Sequence, residues 1–160
     1  MNAPDDLPAR SRVVHDHLAA AGVDSAIVVL PDSARTAALA AAAIGCEVGA
    51  IGNSLVLVAD GEPVLVMTSG AHRVDFGVLA RSIGADAVAM APADVVREAT
   101  GQAIGGVAPV GHPTRLRTYL DEDLRGFAQV WTAGGTPHTV MPLTFAQLES
   151  LTGGETIRVA

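Results

Sequence analysis

The sequence predicts a single α+β domain in which helices surround a mixed, barrel-like β-sheet. Its 160 residues match the usual size of one domain, and no linker, internal repeat or charge block divides residues 1–160. Short β-branched runs are joined partly by tight turns and partly by helical segments. Because a purely parallel sheet needs regular alternation of strand and helix, this mixture favours a sheet with both parallel and antiparallel pairs.

Five segments have the features of helices. A glycine, the usual residue after a helix C-terminus, follows four of them. Asp32 or Ser33 can cap the second helix, and Thr144 with Gln147 has the capping-box spacing before the last. In chain order, the predicted helices are residues 10–21, the alanine stretch up to 44, and residues 75–83, 92–99 and 144–151.

Runs of β-branched and apolar residues predict the strands. Residues 47–51 and 54–59 are two extended runs on either side of Gly52-Asn53. Asp60-Gly61 is a hairpin turn signal, after which residues 63–68 return as the partner strand. The other predicted strands are residues 26–30, 87–90, 115–120, 129–132, 138–141 and 155–159.

Charge and hydropathy exclude several classes of protein. The chain has 17 acidic residues and 10 basic ones, all arginine, for a net charge of −7. This balance argues against indiscriminate binding to nucleic acid and against a DNA partner, although a few arginines can still make a local contact. The richest apolar run, residues 37–44, is too short to span a bilayer, and the acidic N-terminus is unlike a signal peptide. We therefore expect a soluble cytoplasmic protein without a membrane partner.

Residues able to hold a metal or cofactor are scattered along the sequence. Cys46 stands alone, which excludes an internal disulfide or a CxxC pair, and we interpret it as a small buried hydrophobe. His15 and His17 lack the spacing of a two-histidine site, and the other histidines are far apart. The glycine-rich run at residues 101–111 matches neither GxGxxG nor a P-loop. We expect neither a metal nor a cofactor.

Two segments carry residues suited to chemistry. Residues 101–113 hold four glycines and two prolines, which indicates a rigid loop whose bare backbone N–H groups can approach a carbonyl oxygen. The alternative for this loop is a tight connection without a ligand. Asp121 and Asp123 can serve as a general acid/base pair, the alternative being a solvated turn.

The loop sequence Gly101-x-x-x-Gly105-Gly106-Val-Ala-Pro109-Val-Gly111 resembles the TGxxxGGVSPxG segment of the YbaK/prolyl-tRNA-synthetase-associated domain family. The resemblance extends over nearly the whole chain, through residues 45–58, 68–75, 131–138 and 148–154. The family removes wrong amino acids from tRNA in trans. The resemblance therefore implies an aminoacyl-tRNA deacylase with a mixed, barrel-like α+β fold.

One position departs from the family pattern. Members with deacylase activity carry a lysine in a K-[TS]-L context, where this sequence has Asn53-Ser54-Leu55. Asparagine donates hydrogen bonds but supplies no charge, and the chain contains no lysine. Two alternatives stay open: a non-catalytic module that binds aminoacyl-tRNA or a small ligand and lost activity with the lysine, and a hydrolase of small acyl esters or amides.

The resemblance and the glycine-rich loop together define a predicted site. Asn53 is expected to bind the substrate at the reacting ester, and Gly105 and Gly106 to donate backbone N–H groups to the oxyanion. We also expect a side chain at Gly106 to abolish hydrolysis without unfolding the protein. The remaining predicted substrate-binding residues are Pro109, which fixes the loop, Arg73 for the RNA end, Asp121 for the α-amino group, His112 and Gly134. The expected partners are the acceptor end of aminoacyl-tRNA and an aminoacyl-tRNA synthetase.

Overall fold

A computed structural model describes residues 7–24, 26–31 and 36–160. Within these ranges, five α-helices lie beside one eight-stranded sheet. The helices are α1 (Ala9–Ala20), α2 (Ala37–Ile44), α3 (Phe76–Ile83), α4 (Ala93–Thr100) and α5 (Phe145–Thr152). The strands are β1 (Val28–Val29), β2 (Ile51–Ala59), β3 (Glu62–Ser69), β4 (Val88–Met90), β5 (Arg117–Asp121), β6 (Val130–Ala133), β7 (Thr139–Leu143) and β8 (Glu155–Ile157). Two 3₁₀ helices span Val48–Ala50 and Glu122–Gly126.

Strand β2 is the centre of the sheet. The strand order is β1-β7-β6-β2-β3-β5-β8, and β4 also pairs with β2. The pairs β2–β6, β3–β5 and β5–β8 are parallel, whereas β2–β3, β2–β4, β6–β7 and β1–β7 are antiparallel. The predicted mixed α+β class is therefore confirmed. In the described part of the chain the strand path ends at β1 and β8, so the sheet is curled without closing into a barrel.

The hairpin β2–β3 forms at the predicted turn. Asp60 and Gly61 both have positive φ, 49° and 87°, which a two-residue hairpin turn with the right twist requires. The Asp60 carboxylate also accepts hydrogen bonds from the N–H groups of Asp86 and Ala87, 2.8–3.1 Å long. Because these donors immediately precede β4, one aspartate fixes the turn and holds β4 next to β2.

The two faces of the hairpin are covered by different helices. Leu65 and Met67 of β3 belong to the main core, which includes side chains of α1, α4 and α5. Val64 and Val66 point the other way and pack with Leu79 of α3. A strand with both faces buried has a nearly continuous apolar sequence, which explains the pattern of β3. No helix among the described residues has the length and apolarity needed to cross a membrane.

The predicted helix boundaries hold to within a few residues, with one shift at α2. Its N-cap is Thr36, whose Oγ1 accepts a hydrogen bond of 3.1 Å from the N–H of Leu39. The predicted caps Asp32 and Ser33 lie outside the described residues. The capping box of α5 is confirmed. The first and last strands are shorter than predicted.

The prediction of an extended run at residues 47–51 is wrong, because Val48–Ala50 is a 3₁₀ helix. Tertiary contacts impose this shape: the carbonyl of Gly49 accepts a 2.7 Å hydrogen bond from Ser69 Oγ, and a Cβ on Gly49 would lie 2.7 Å from the ring of Phe127. Gly52 and Asn53 likewise lie inside β2 and do not separate two runs. Because Gly52 has no side chain, β6 can pack closely against β2 at this position.

Candidate functional site

A pocket opens between the start of β2, the N-terminal part of α2 and the glycine-rich loop. The space between its walls is about 480 Å³, counted to its open mouth. No charged side chain lines it among the residues that the structure describes. Its walls are Thr36, Ala37, Ala40, Ile51, Gly52, Asn53, Ser54, Gly105, Val107, Trp131, Thr132, Ala133, Pro137, Thr139 and Val140.

Asn53 lines this pocket from near the start of β2, at the end of the hairpin away from its turn. In the β2–β3 ladder it pairs with Thr68, and its exposed position contrasts with the buried Gly52 before it. Thr68 Oγ1 donates a 3.4 Å hydrogen bond to the backbone carbonyl of Asn53. Within the described ranges nothing hydrogen-bonds the carboxamide itself, and Asn53 lines the pocket.

The structure separates the roles of the two predicted oxyanion glycines. Gly105 lines the pocket, is exposed, and has a φ of +87°. Gly106 is buried, and its N–H already donates a 3.0 Å hydrogen bond to the carbonyl of Ala103. A Cβ on Gly106 would lie 2.6 Å from Thr136 Cα. The prediction that Gly106 offers a free backbone donor is therefore wrong, whereas the N–H of Gly105 has no partner in the described part of the chain.

Gln102 holds the loop in shape, a role that the sequence did not predict. Its side chain is 2% exposed. Oε1 accepts a 2.7 Å hydrogen bond from the N–H of Ala108, and Nε2 donates a 3.2 Å hydrogen bond to the carbonyl of Val110. The only feature of the sequence that could have indicated this role is a single amide side chain at the start of the glycine-rich loop. Pro109 is buried within the bridged segment and does not line the Asn53 pocket.

Asp121 is a structural carboxylate in the interior. It is fully buried, and its two oxygens accept hydrogen bonds from the N–H groups of Ser69 (2.9 Å) and Asp123 (3.0 Å). With no exposed surface it cannot receive the α-amino group of a substrate, so that prediction is corrected. A fully solvated turn is equally wrong for this residue.

His72 lies between Asp121 and the exposed Asp123. Its Nδ1 is 3.0 Å from Asp121 Oδ2, and its Nε2 contacts the carboxylate of Asp123. The ligand atoms of the three side chains lie within 4.8 Å of one another, a spacing that could also surround a cation. Each ring nitrogen of His72 therefore faces a carboxylate. This cluster does not contribute to the Asn53 pocket.

The remaining predicted residues also lie outside the pocket wall. Arg73 is exposed on the loop between β3 and α3. Gly134 is buried against Ile27 and Thr139. His112 is half-buried, with Nε2 2.8 Å from the carbonyl of Ala108. Burial lowers the pKa of His112, as does the nearby His17, and these effects outweigh the carbonyl, which raises it.

The thiol and the hydroxyls near the site have other roles. Cys46 packs at the edge of the α2 cluster, and burial is the main cause that raises the pKa of its thiol, so the thiolate nucleophile is scarce at neutral pH. Thr139 Oγ1 accepts hydrogen bonds of 3.2 Å from Ser11 Oγ and from the N–H of Thr136. This buried network ties α1 to the turn before β7. Sequence reasoning missed Thr139, because an isolated threonine gives no signal.

The chain combines a curled α+β sheet with a pocket whose described lining holds no charged side chain. Residues 31–151 match the family model of the aminoacyl-tRNA editing domain. The chain belongs to that family, and the resemblance seen in its sequence is confirmed.

Solved structures and relatives agree with this assignment. A crystal structure described as a candidate trans-editing enzyme for prolyl-tRNA synthetase superposes with a TM-score of 0.90 at 44% identity, covering 96% of this chain and 98% of that one. YwhH of Bacillus subtilis (strain 168), whose name assigns no function, is 32% identical over 117 residues, or 72% of this chain and 74% of YwhH. The proline–tRNA ligase of Geobacter sp. (strain M21) is 32% identical over 99 residues, or 62% of this chain. The match covers 17% of that ligase, so it corresponds to one part of the larger protein.

Proposed function

We propose that this protein is an aminoacyl-tRNA deacylase that hydrolyses the ester between a wrong amino acid and its tRNA. The observation that carries the proposal is the pocket, where the carboxamide of Asn53 and the N–H of Gly105 come from separate elements and have no hydrogen-bond partner among the described residues, which also place no charged side chain in its wall. Membership of the editing family supports this reading. The proposal treats residues 1–160 as one editing domain that acts in the cytoplasm beside an aminoacyl-tRNA synthetase.

The chemistry requires little from the protein. An aminoacyl ester is already activated, so holding it in place and stabilising the developing oxyanion supplies much of the rate. Water attacks the carbonyl carbon, the bond to the ribose oxygen breaks, and that oxygen takes up a proton. In the proposed arrangement Gly105 donates its N–H to the oxyanion, and the Asn53 amide positions the ester.

Selectivity in this proposal comes from the size of the pocket. Ala37 and Ala40 of α2 and Gly52 of β2 contribute little side-chain volume, and Trp131 forms a large wall. Such a space accepts a small amino-acid side chain and excludes a bulkier correct one, as in a second sieve. An uncharged lining also disfavours charged side chains, because they would lose hydration without a partner.

A second function follows from the same lining. The family lysine is replaced by Asn53, and no described residue supplies a charge to the pocket wall in its place. A module that binds aminoacyl-tRNA without hydrolysing it would keep this pocket and lack the chemistry.

Asn53 decides between these functions, and the measurement is the initial deacylation rate on a panel of mischarged tRNAs. We expect Asn53→Ala to raise the activation free energy of deacylation by about 1–2 kcal/mol, because one neutral hydrogen bond to the substrate is lost. This corresponds to a rate that is roughly 5- to 30-fold lower. We expect Asn53→Lys to raise activity on substrates of the lysine-bearing relatives, since charge-assisted hydrogen bonds are about twice as strong as neutral ones. Gln129→Ala removes an exposed amide outside the pocket and is the matched control.

The outcomes separate the alternatives. If the wild type is inactive on every mischarged tRNA and the Asn53→Lys variant is active, the protein is the non-catalytic binding module. An active wild type whose rate responds to neither Asn53 variant contradicts the assigned site. Hydrolysis of small acyl esters with no activity on any aminoacyl-tRNA identifies the unrelated hydrolase.

A further inference from the structure

A groove that holds two arginines and two histidines lies along helix α1 and the C-terminal part of the glycine-rich loop. It consists of two adjoining cavities that share His17, Gly111 and His112. Neither cavity shares a lining residue with the Asn53 pocket. Arg10 and Arg115 complete a set of four basic side chains in the groove, and no aspartate or glutamate among the described residues lines it.

This local charge is opposite to that of the whole molecule. The chain has 17 acidic residues against 10 arginines, yet the groove gathers two arginines and two histidines. A wider depression continues from Arg115, where it adds Arg117 and one carboxylate, Glu155. The described lining of the Asn53 pocket holds no cation. The phosphates of a ligand would therefore need to bind to basic side chains outside that pocket.

The groups in the groove suit a sugar–phosphate chain. Arg10 and Arg115 are exposed, and a guanidinium presents a fork of donors that matches two phosphate oxygens. One Arg115 nitrogen donates a 3.3 Å hydrogen bond to the carbonyl of Leu151, which holds the side chain in place, and the other guanidinium donors have no hydrogen-bond partner in the described part of the chain.

His112 adds an acceptor to these donors. Its Nε2 donates to the carbonyl of Ala108, because a carbonyl only accepts. Since burial lowers the pKa of His112, the ring is neutral at neutral pH and Nδ1 keeps its lone pair. A ribose 2′-hydroxyl, which distinguishes RNA from DNA, is a fitting donor to that nitrogen.

We propose that the groove formed by Arg10, His17, His112 and Arg115 binds the sugar–phosphate backbone of RNA. This inference rests on the proposed function, because it names the surface that carries the tRNA whose aminoacyl end occupies the Asn53 pocket. An RNA strand fits better than a protein partner, since protein interfaces concentrate aromatic side chains and no aromatic residue lines these two cavities in the described structure.

The first experiment measures binding of a fluorescent, uncharged acceptor-stem RNA minihelix by anisotropy over a range of salt concentrations. Arg10→Glu and Arg115→Glu should each weaken binding roughly tenfold, the value of one charge-assisted hydrogen bond. Each should also reduce the slope of log affinity against log salt by about 1. Arg81→Glu makes the same change in net charge on α3, outside the groove, and should leave that slope unaltered. If Arg81→Glu weakens binding as much as the groove variants, or if both groove variants bind like the wild type, the proposal is overturned.

The second experiment compares turnover of an aminoacylated minihelix with that of an aminoacyl-adenosine, which has no phosphodiester chain. The groove variants should have a lower kcat/KM than the wild type on the aminoacylated minihelix. On the aminoacyl-adenosine their kcat/KM should equal that of the wild type. An equal loss on both substrates shows damage to the pocket and counts against a separate RNA groove. A wild type that binds RNA through the groove and hydrolyses neither ester refutes the deacylase and leaves the groove assignment standing.

Discussion

At the scale of single residues, the adjacent glycines of the loop have different reasons to be glycine. Gly105 needs its positive φ of +87°, and apart from its chain neighbours no heavy atom of the described residues lies within 4 Å of the position that a Cβ would take. Gly106 has no such dihedral, but Thr136 and Pro137 occupy the space where its side chain would be. In the sequence motif the two glycines look equivalent. Only the structure shows that Gly105 is required for its backbone conformation and Gly106 for the close approach of a neighbouring segment.

This difference predicts unequal costs for alanine at the two positions. Gly105→Ala should lower the free energy of unfolding by about 1–2 kcal/mol, the strain of a left-handed conformation. Gly106→Ala should cost about 1–3 kcal/mol through overpacking, and Gly106→Val considerably more. The packing therefore argues against the sequence-based prediction that a side chain at Gly106 leaves the protein folded. Urea unfolding of the variants checks this, and a Gly106→Val protein as stable as the wild type would contradict the packing argument.

His112 predicts a pH dependence of stability. Its pKa is lowered from the ordinary 6.5, mainly by burial, so below pH 6.5 the unfolded chain binds a proton that the native ring resists. The stabilising contribution of neutral His112 is therefore complete above that pH and is lost as the pH falls through the folded pKa. In His112→Gln, whose amide can still donate to Ala108, the free energy of unfolding should decline less steeply from pH 7 to pH 5 than in the wild type. Equal slopes in chemical denaturation at several pH values would show that His112 has no such role.

At the scale of elements, the end of β5 organises the loop that follows β3. Parallel pairing brings Met67 of β3 beside Leu120 of β5, so Asp121 arrives next to the N–H of Ser69. Ser69 Oγ in turn donates to Gly49 in the 3₁₀ helix before β2. Asp121 and Ser69 together therefore connect the end of β5, the end of β3 and the 3₁₀ helix before β2, and His72 Nδ1 lies 3.0 Å from the same carboxylate.

We expect Asp121→Asn to lower the free energy of unfolding by about 2–3 kcal/mol. The amide keeps the shape but offers one acceptor where two backbone N–H groups need partners, and it removes the charge that faces His72. Asp123→Asn is the matched control, because that side chain is 54% exposed and its surface contact with His72 should be worth about 0–1 kcal/mol. Equal, small effects of the two substitutions in urea denaturation would mean that Asp121 does not organise this region.

At the scale of the whole molecule, the sheet order unites distant parts of the chain at β2. Strand β2 pairs with β3, β4 and β6, so Ile51 and Gly52, just before Asn53, pair with Trp131 and Thr132, about half the chain further on. Charge is distributed unevenly around this framework. The pocket is uncharged in its described lining, and a basic groove lies beside the same loop of an acidic protein. Net charge predicted weak general attraction to RNA, but it could not locate the cations.

The sequence by itself determined the α+β class, most elements, the β2–β3 hairpin and the family. These features depend on local signals: apolar periodicity, turn residues such as Asp60-Gly61, the capping box of Thr144 and Gln147, and short motifs in a fixed order. Only the tertiary structure decided that Asn53 lies within a strand, that the N–H of Gly106 is occupied, and that Asp121 is buried. The reason is physical: burial and hydrogen-bond partners depend on segments far apart in the chain, and no local pattern encodes which of them meet.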